Sequence, residues 1–460
     1  MAQALRAAGI DTRITATAAD LHARLGVLHP AKPIYEVTLK PDTRQFDAGT
    51  MRRSYLGTTA QGELIFDAHT APTIADLKPG TVTLFAGTAL LKVTGVVRRG
   101  EFIAVSGVPA GLEDAIDNGR IGWTSTLDFA KVVFQPPPGF HRIPTPVTSP
   151  QPGFLDGIIP AANATISLAD NSWEGQVKGF DVKLKLTPAH GDLHVDLNAV
   201  RNINGGIISV HAVGQINGMT NQTLITLANG TTTQITFDNN GLKGSLDFDW
   251  NVAFDAEHGG DDKALLESAV ENLPFSFDVP IEVGPIPFLI NVKAGFSFQA
   301  AFSSKATVAS GTYHATFGGD IPNTTGTGSA SGGSSFSGDG QIKSYGGTVS
   351  VATVGLTTIA ALPKVSLTLG LPGNLLSFME TPELGGPYAT FMVRADFVGT
   401  GAMSIAQCER RDLYVMVFAG YKPGVLGKLF SDPAKKLFER HIQEVRPPNI
   451  TLCQAPSASS

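Results

Sequence analysis

Strict alternation of apolar and polar residues is the clearest pattern along the chain, and it is strongest between residues 180 and 198. One alternating run covers 180–187 and a second covers 192–198, with Pro188-Ala-His-Gly191 between them. Successive side chains of a strand point to opposite faces, so each run predicts a strand with one buried face and one solvent face. The two runs are therefore predicted to form an antiparallel hairpin.

This hairpin also predicts a register. A four-residue turn over 188–191 gives these facing pairs: Leu186 with Leu193, Leu184 with Val195 and Val182 with Leu197 on the buried face, and Lys183 with Asp196 and Lys185 with His194 on the polar face. His190, Asp192, His194 and Asp196 share the polar face, where alternate residues lie about 6.5–7 Å apart and could share a metal ion. The opposing lysines would repel a cation, so the sequence favours a charge-balanced solvent face over a metal site.

Similar strand signals recur through most of the chain, notably at 246–254 and on either side of Asn229-Gly230. Asn-Gly is a strong signal for the tip of a hairpin. A two-residue loop alone would set Ile225 against Gln234, whereas one additional residue restores Ile225 against Ile235. We therefore expect a bulged or three-residue turn in this hairpin.

Two segments carry helix signals instead of alternation. Residues 109–119 begin with a proline and end with a glycine, as short helices do. Residues 432–445 follow a serine suited to N-capping and precede Pro447-Pro448, which would stop a helix. Their apolar residues recur at helical spacing, at Ala434, Leu437, Phe438, Ile442 and Val445. A C-terminal helix is therefore predicted over 432–445.

Proline-rich and glycine-rich stretches suggest the domain boundaries. Seven prolines lie within 136–152, which predicts a semi-rigid connector. The stretch 319–347 is rich in glycine and serine, which predicts a long loop or flexible linker. The predicted organisation is an N-terminal segment 1–30, a small β-rich domain 31–135 with one short helix, a proline-rich linker 136–153, a main antiparallel β domain 154–318, the linker 319–347, and a β segment 348–460 that includes the C-terminal helix and packs on the main domain.

Together these patterns predict an all-β protein with antiparallel sheets, arranged as a sandwich or an elongated curved sheet. A small N-terminal β-rich domain and one C-terminal α-helix complete the predicted fold. The composition agrees, because 42% of the residues are hydrophobic, which suffices for a packed core, and only 16% are charged. The 51 glycines and 29 prolines suit many short strands joined by tight turns.

Charge and hydropathy narrow the range of partners. The formal net charge is −6 and no dense cluster of lysine and arginine occurs, so nucleic acid is not expected as a partner. No apolar run reaches the roughly 18 residues of a membrane-spanning helix, so none is expected. The first residues lack the apolar core of a signal peptide, so none is expected within this chain.

The two cysteines, Cys408 and Cys453, are too few for a disulfide scaffold or a structural zinc site. In a β-protein with few charges we interpret them as one disulfide bond, although two buried thiols also fit the sequence. Such a bond forms in an oxidising compartment and favours an extracellular or cell-surface location. It would fasten the segment after the predicted C-terminal helix to the sheet.

The densest acidic cluster lies within 247–262. Asp247, Asp249 and Asn251 have the spacing of an EF-hand loop, but Val252 stands where that loop requires glycine. The remaining hypothesis is a calcium site in the following loop, with these ligands: Asp255, Glu257, Asp261 and Asp262. Solvated carboxylates at the end of a strand are the simpler interpretation, and no other cofactor is expected.

Catalytic signatures are missing from the sequence, which contains no Gly-x-Ser-x-Gly elbow, phosphate-binding loop, His-Glu-x-x-His or Cys-x-x-Cys. We therefore predict a non-enzymatic extracellular or cell-surface structural protein that assembles with itself or with other surface proteins through β-surfaces and sheet edges. The first alternative is a β-protein that binds a hydrophobic ligand or lipid, with insertion into membranes as one form of it. A hydrolase is the weaker alternative, because paired carboxylates could come from any two strands.

Overall fold

The computed structural model describes residues 30, 32–59, 62–127, 129, 140–143, 171–177, 179–189, 191–203, 206–254, 273–302, 307–326, 337–339, 353–369, 386–400, 408–422 and 435–445. Most of these residues lie in strands, and nearly all of the strands pair antiparallel. The predicted all-β class is therefore confirmed.

The strands of the first part of the chain are β1 (Ile34–Leu39), β2 (Arg44–Phe46), β3 (Tyr55–Thr58), β4 (Leu64–Asp67), β5 (Val82–Phe85), β6 (Ala89–Arg99), β7 (Phe102–Pro109), β8 (Ile116–Thr126), β9 (Phe140–Arg142), β10 (Asn171–Val177), β11 (Phe180–Ala189) and β12 (Asp192–Ile203). The strands of the second part are β13 (Gly206–Asn217), β14 (Thr220–Ala228), β15 (Thr231–Phe254), β16 (Leu273–Val283), β17 (Ile286–Phe302), β18 (Thr307–Ile321), β19 (Thr324–Gly326), β20 (Ser337–Asp339), β21 (Thr353–Leu369), β22 (Gly386–Thr400), β23 (Cys408–Lys422) and β24 (Lys435–Val445). Short helices in the described residues are α1 (Ala48–Ser54), a 3₁₀-helix (Pro72–Asp76) and α2 (Leu112–Ala115).

The described strands form three sheets. The large sheet has 12 strands, whose main path runs β1-β8-β14-β15-β13-β12-β11-β10-β9, with β18 and β19 beside β15 and with β20 beside β18. The second sheet has 6 strands in the order β16-β17-β21-β22-β23-β24. The small sheet also has 6 strands, in the order β2-β5-β6-β7-β4-β3, and within it β2 pairs parallel with β5.

The small sheet is inserted between two strands of the large sheet. β1 and β8 flank it in sequence and pair antiparallel with each other, and β8 also pairs with β14. Both flanking strands fall within the segment 31–135, which the sequence groups into a separate domain. The part of that segment that builds a sheet of its own is therefore 44–109.

The large and second sheets pack against each other around one shared apolar cluster. Trp123 of β8 lies against Phe288 of β17, with ring centroids 4.8 Å apart. Elsewhere the side-chain amide of Asn323, between β18 and β19, donates to the carbonyl oxygens of Tyr388 and Gly420, both at 3.1 Å. Of the two predicted arrangements, this packing corresponds to the sandwich.

The hairpin predicted at 180–198 exists as β11 and β12, but its register differs by two residues. Asp196 faces Lys185 rather than Lys183, and His194 faces Thr187. Both predicted polar pairs are therefore wrong. The cause is the turn, because pairing continues to the last residue of β11 and leaves a loop shorter than four residues. A shift by two keeps every side chain on its predicted face, so the apolar residues remain buried.

The hairpin formed by β14 and β15 confirms the predicted bulge. Ile225 faces Ile235, and the tip is Asn229-Gly230, with both residues at positive φ (52° and 70°). The register shifts after Thr226, so that Thr233 is the additional residue of β15. The bulge therefore keeps the isoleucines together on the buried face.

The helix predicted over 432–445 is wrong, because Lys435–Val445 forms the edge strand β24 beside β23. Pairing with β23 is interrupted twice, and the additional residues in β24 are Leu437 and Ile442. Each bulge breaks the period of two. A strand with two bulges can therefore display apolar residues at a spacing that resembles a helix.

The other predicted segments have mixed outcomes. The short helix predicted within 109–119 is present as α2, but it is limited to four residues and Gly119 belongs to β8. Within the linker predicted at 319–347, β19 and β20 are short strands. Most of the segment 1–30 and most of the linker 136–153 lie outside the described residues.

Candidate functional site: the polar face and the sheet edges

Histidine and aspartate side chains pair across neighbouring strands on the solvent face of the large sheet. His211 of β13 lies between two carboxylates, with Nε2 3.1 Å from Asp196 Oδ1 and Nδ1 3.7 Å from Asp249 Oδ2. His314 of β18 pairs through Nδ1 with Asp247 of β15. Water and salt screen these partly exposed pairs, so each contributes little to stability.

This face has the properties of a solvated surface. The carboxylate of Asp192 accepts hydrogen bonds from the amides of Gln215 (3.1 Å) and Asn217 (2.8 Å). Among the described residues, no group of three or more His, Cys, Asp or Glu side chains could hold a metal ion. The sequence pointed to a charge-balanced face but missed His211 and His314, because their partners lie on strands whose register the sequence does not reveal.

Several predicted site residues lie outside the described residues: His190, Asp255, Glu257, Asp261, Asp262 and Cys453. Cys408 is the first residue of β23. The calcium site and the disulfide bond therefore stay predictions. In the part of the chain that the structure describes, no helix has the length and apolar character needed to cross a membrane.

A buried polar network fixes the position of β8 within the sandwich. Asn221 of β14 is fully buried, and its Oδ1 accepts hydrogen bonds from Trp123 Nε1 (3.1 Å) and Thr223 Oγ1 (2.9 Å). Its Nδ2 donates to Asn239 Oδ1 at 3.1 Å. Buried hydrogen bonds of this kind specify one arrangement of strands, because breaking them leaves polar groups without partners.

β1 lies next to β8 and ends the large sheet, and no described strand pairs with its outer side. The amide of Lys40, directly after β1, donates to the carbonyl oxygen of Ala115 at 2.9 Å, so it faces β8. Peptide groups alternate sides along an antiparallel strand. The amides and carbonyls of Tyr35, Val37 and Leu39 therefore point away from β8, and we refer to these three residues as the outer row.

Prolines stand at both ends of the outer row. Pro33 precedes Tyr35 by two residues, and Pro41 lies two residues after Leu39, in the turn where the amide of Thr43 donates to the carbonyl oxygen of Lys40 at 3.0 Å. Proline has no N–H donor. The donors on this side of the strand are therefore confined to the outer row, with Val37 at its centre.

Close contacts hold β1 against both sheets. A Cβ at Gly119 of β8 would lie 2.7 Å from the carbonyl oxygen of Glu36 and 3.1 Å from Val37 Cα, so the two strands approach closely. The ring of Tyr35 covers Gly284, in the turn between β16 and β17, where a Cβ would lie 2.6 Å from the ring. Burial raises the pKa of the Tyr35 hydroxyl. β1 therefore packs closely against both sheets.

β16 is an edge strand of the second sheet. It contains Pro274 and Pro280, which lie six positions apart and therefore have their nitrogens on the same side of the strand. Proline is tolerated in a sheet where its nitrogen faces away from the paired strand, so both nitrogens lie on the open side. Pro363 of the central strand β21 instead lies in a bulge where pairing with both neighbours is interrupted.

β24, at the opposite edge of the second sheet, is rich in charged residues: Lys435, Lys436, Glu439, Arg440 and Glu444. Prolines and charges at edge strands discourage pairing with a further strand. β1 has neither a proline nor a lysine between Ile34 and Leu39. It is therefore less protected than β16 or β24.

Comparison of the chain with protein-family models, with curated proteins and with solved structures found no match. The candidate site therefore rests on the geometry of the sheet edges.

Proposed function

We propose that the chain is a non-enzymatic extracellular or cell-surface structural protein that assembles with itself or with other surface proteins through the edge of its large sheet. The observation that carries this proposal is the outer row of β1 on an edge strand without an internal proline or lysine. Such a row offers backbone donors and acceptors to the strand of another chain.

The close packing of β1 against both sheets supports the proposal. Gly119 lets β1 approach β8 closely, and Tyr35 packs over Gly284 of the second sheet. Association is weakened when a binding segment must first become ordered. Because β1 is already held in strand geometry by both sheets, little ordering is required before another strand pairs with it.

The packing of the described interior favours assembly as the function, rather than the binding of an enclosed apolar ligand. The shared apolar cluster contains large side chains that are at most 2% exposed: Trp173, Phe237, Phe248 and Phe288. A lipid-sized ligand would instead need a cavity of roughly 300–1,000 Å³, lined by apolar side chains of this kind. A hydrolase would need two facing carboxylates in a cleft, whereas Asp196 and Asp249 lie on an exposed face on either side of His211.

Sedimentation velocity of the full chain over a range of concentrations tests the proposal, with and without calcium in the buffer. We expect a concentration-dependent rise in sedimentation coefficient, and negative-stain images of the associated fraction should show particles of defined size. A single monomeric species at every concentration, in both buffers, would sink the assembly function.

A further inference from the structure

We propose that the partner at this edge is a second copy of the chain, which pairs its own β1 antiparallel to the first and joins two large sheets into one. Val37 lies on the twofold axis and faces Val37 of the second copy, while Tyr35 faces Leu39 of the second copy. This inference rests on the proposed assembly function and adds to it the partner and the register.

The outer row is complementary to its own inverted copy. In an antiparallel ladder, two facing residues whose peptide groups point towards each other exchange both N–H···O bonds. The outer row is symmetric about Val37, so inverting it places every donor opposite an acceptor. Pro33, which has no donor, then lies at the end of the paired stretch, near the turn of the second copy that begins after Lys40.

Shifts of the register by two residues are less favourable. In one direction Pro33 faces Leu39 of the second copy, which loses a donor, and Glu36 faces Glu36 of the second copy, which sets like charges together. In the other direction Tyr35 comes opposite the turn that contains Pro41 of the second copy, so the paired stretch becomes shorter. The proposed register has neither fault.

The solvent face of β1 is compatible with the same register. Glu36 faces Thr38 of the second copy, and Ile34, which is 37% exposed, faces Lys40 of the second copy, whose ammonium donates to the carbonyl oxygen of Glu113 in its own chain. On the inner face the half-buried side chains of Tyr35, Val37 and Leu39 already pack against the shared core. In the pair they lie beside the corresponding side chains of the second copy, so the apolar core continues across the new contact.

Two substitutions at the exposed residue Thr38 test the register. Thr38→Glu places a carboxylate opposite Glu36 of the second copy, twice in a symmetric pair, and should weaken the dimer about tenfold. Thr38→Lys places an ammonium at the same point and should strengthen it about fivefold. Sedimentation equilibrium gives both constants, and thermal unfolding at low concentration checks that each variant folds. Equal weakening by both substitutions, or no change in either, would overturn the proposed register.

Disulfide trapping tests the same contact independently. In the proposed register positions 36 and 38 of the two copies face each other in narrow pairs, at a separation suited to a disulfide. Glu36→Cys/Thr38→Cys should therefore yield an oxidised dimer, with position 36 linked to position 38 in non-reducing peptide mass maps. Each single variant lacks a facing cysteine and serves as control, and the unsubstituted chain accounts for Cys408 and Cys453.

The outcomes separate the two proposals. A chain that assembles but does not form the link between positions 36 and 38, and that ignores the charge at position 38, overturns the twofold pair through β1 and leaves assembly through another edge standing. A chain that is monomeric in sedimentation at every concentration overturns both proposals.

Discussion

β1 and β16 are edge strands of two different sheets, and they meet where Tyr35 lies over the turn at Gly284. The open side of β16 carries two prolines, Pro274 and Pro280, which cannot donate to a further strand. The open side of β1 has prolines only beyond its ends, at Pro33 and Pro41. The row of N–H donors on the open side of β16 is therefore interrupted inside the strand, whereas the prolines near β1 lie beyond its ends.

The comparison shows which backbone property decides whether an edge strand can pair with a further strand. We call an edge that can do so open, and one that cannot closed. Both strands have an apolar face against the shared core, so burial does not distinguish them. What distinguishes them is where the N–H donors are missing. In β16 the gaps fall inside the strand and break any continuous ladder. Around β1 they fall outside and leave a short, symmetric ladder that another strand can complete.

The largest effect should come from breaking the contact that joins the two edges. We expect Gly284→Ala to lower the free energy of unfolding by about 3 kcal/mol, because alanine is strained at φ 61° and its Cβ overlaps the Tyr35 ring. Gly100→Ala is the matched control: Gly100 has φ 63° but no atom within 4 Å of its Cβ, so roughly 1 kcal/mol is expected. Urea denaturation measures both, and equal losses would show that the ring contact contributes nothing.

A smaller effect is expected where β1 meets β8. Gly119→Ala should destabilise the chain by about 2 kcal/mol, because its Cβ would be forced against the backbone of Glu36 and Val37. Gly95→Ala in β6 meets nothing within 4 Å and should change stability by about 0.5 kcal/mol or less. Denaturant unfolding of the two variants decides the point; if Gly119→Ala is as harmless as its control, β1 is not held as closely as the structure indicates.

Opening the closed edge is expected to change association more than stability. Pro280→Ala restores a donor on the open side of β16 at a cost of about 1 kcal/mol in stability, and it should raise self-association in sedimentation velocity about threefold. Pro363→Ala removes a proline from a bulge between two neighbours and opens no edge, so association should not change. If both variants associate like the unsubstituted chain, internal prolines are not what closes β16.

The smallest effect concerns pH. Burial raises the pKa of Tyr35 in the folded chain above its unfolded value of about 10. The contact of Tyr35 with the turn therefore contributes fully below about pH 10 and is lost as the pH rises through the folded pKa. The stability difference between the unsubstituted chain and Tyr35→Phe should shift in favour of the variant between about pH 9 and pH 11. Thermal unfolding measures it, and a constant difference would contradict the burial of the hydroxyl.

Local signals were sufficient for the fold class and for one hairpin. The period of two predicts strands because it depends only on successive residues, and Asn229-Gly230 with facing isoleucines predicts both a turn and its bulge. The sequence between β11 and β12 has no comparable signal for the length of the turn. A shift by two residues leaves all faces unchanged, so the pattern permits either register and the turn decides.

The sequence predicted the type of candidate site, a sheet edge, but not which strand forms it. The sequence suggests assembly through edges, but which strand ends a sheet depends on long-range pairing. The positions of Pro33 and Pro41 around β1 are visible in the sequence. Which residues of β1 direct their amides away from β8 is not, because this follows from the hydrogen bond between Lys40 and Ala115. The strand β24 was missed because its bulges depend on the neighbouring strand β23.

The hydrogen bond between Lys40 and Ala115 also marks the place where the small sheet is inserted into the large one. The chain leaves the large sheet and returns to it at almost one point, as it does around an inserted domain. The inserted small sheet has its own core and touches the shared one through Leu84 and Leu90. It also contacts the turn between β16 and β17, where the amide of Gly87 donates to the carbonyl oxygen of Pro285 at 2.9 Å. In a twofold pair through β1, the same axis would relate the two inserted small sheets.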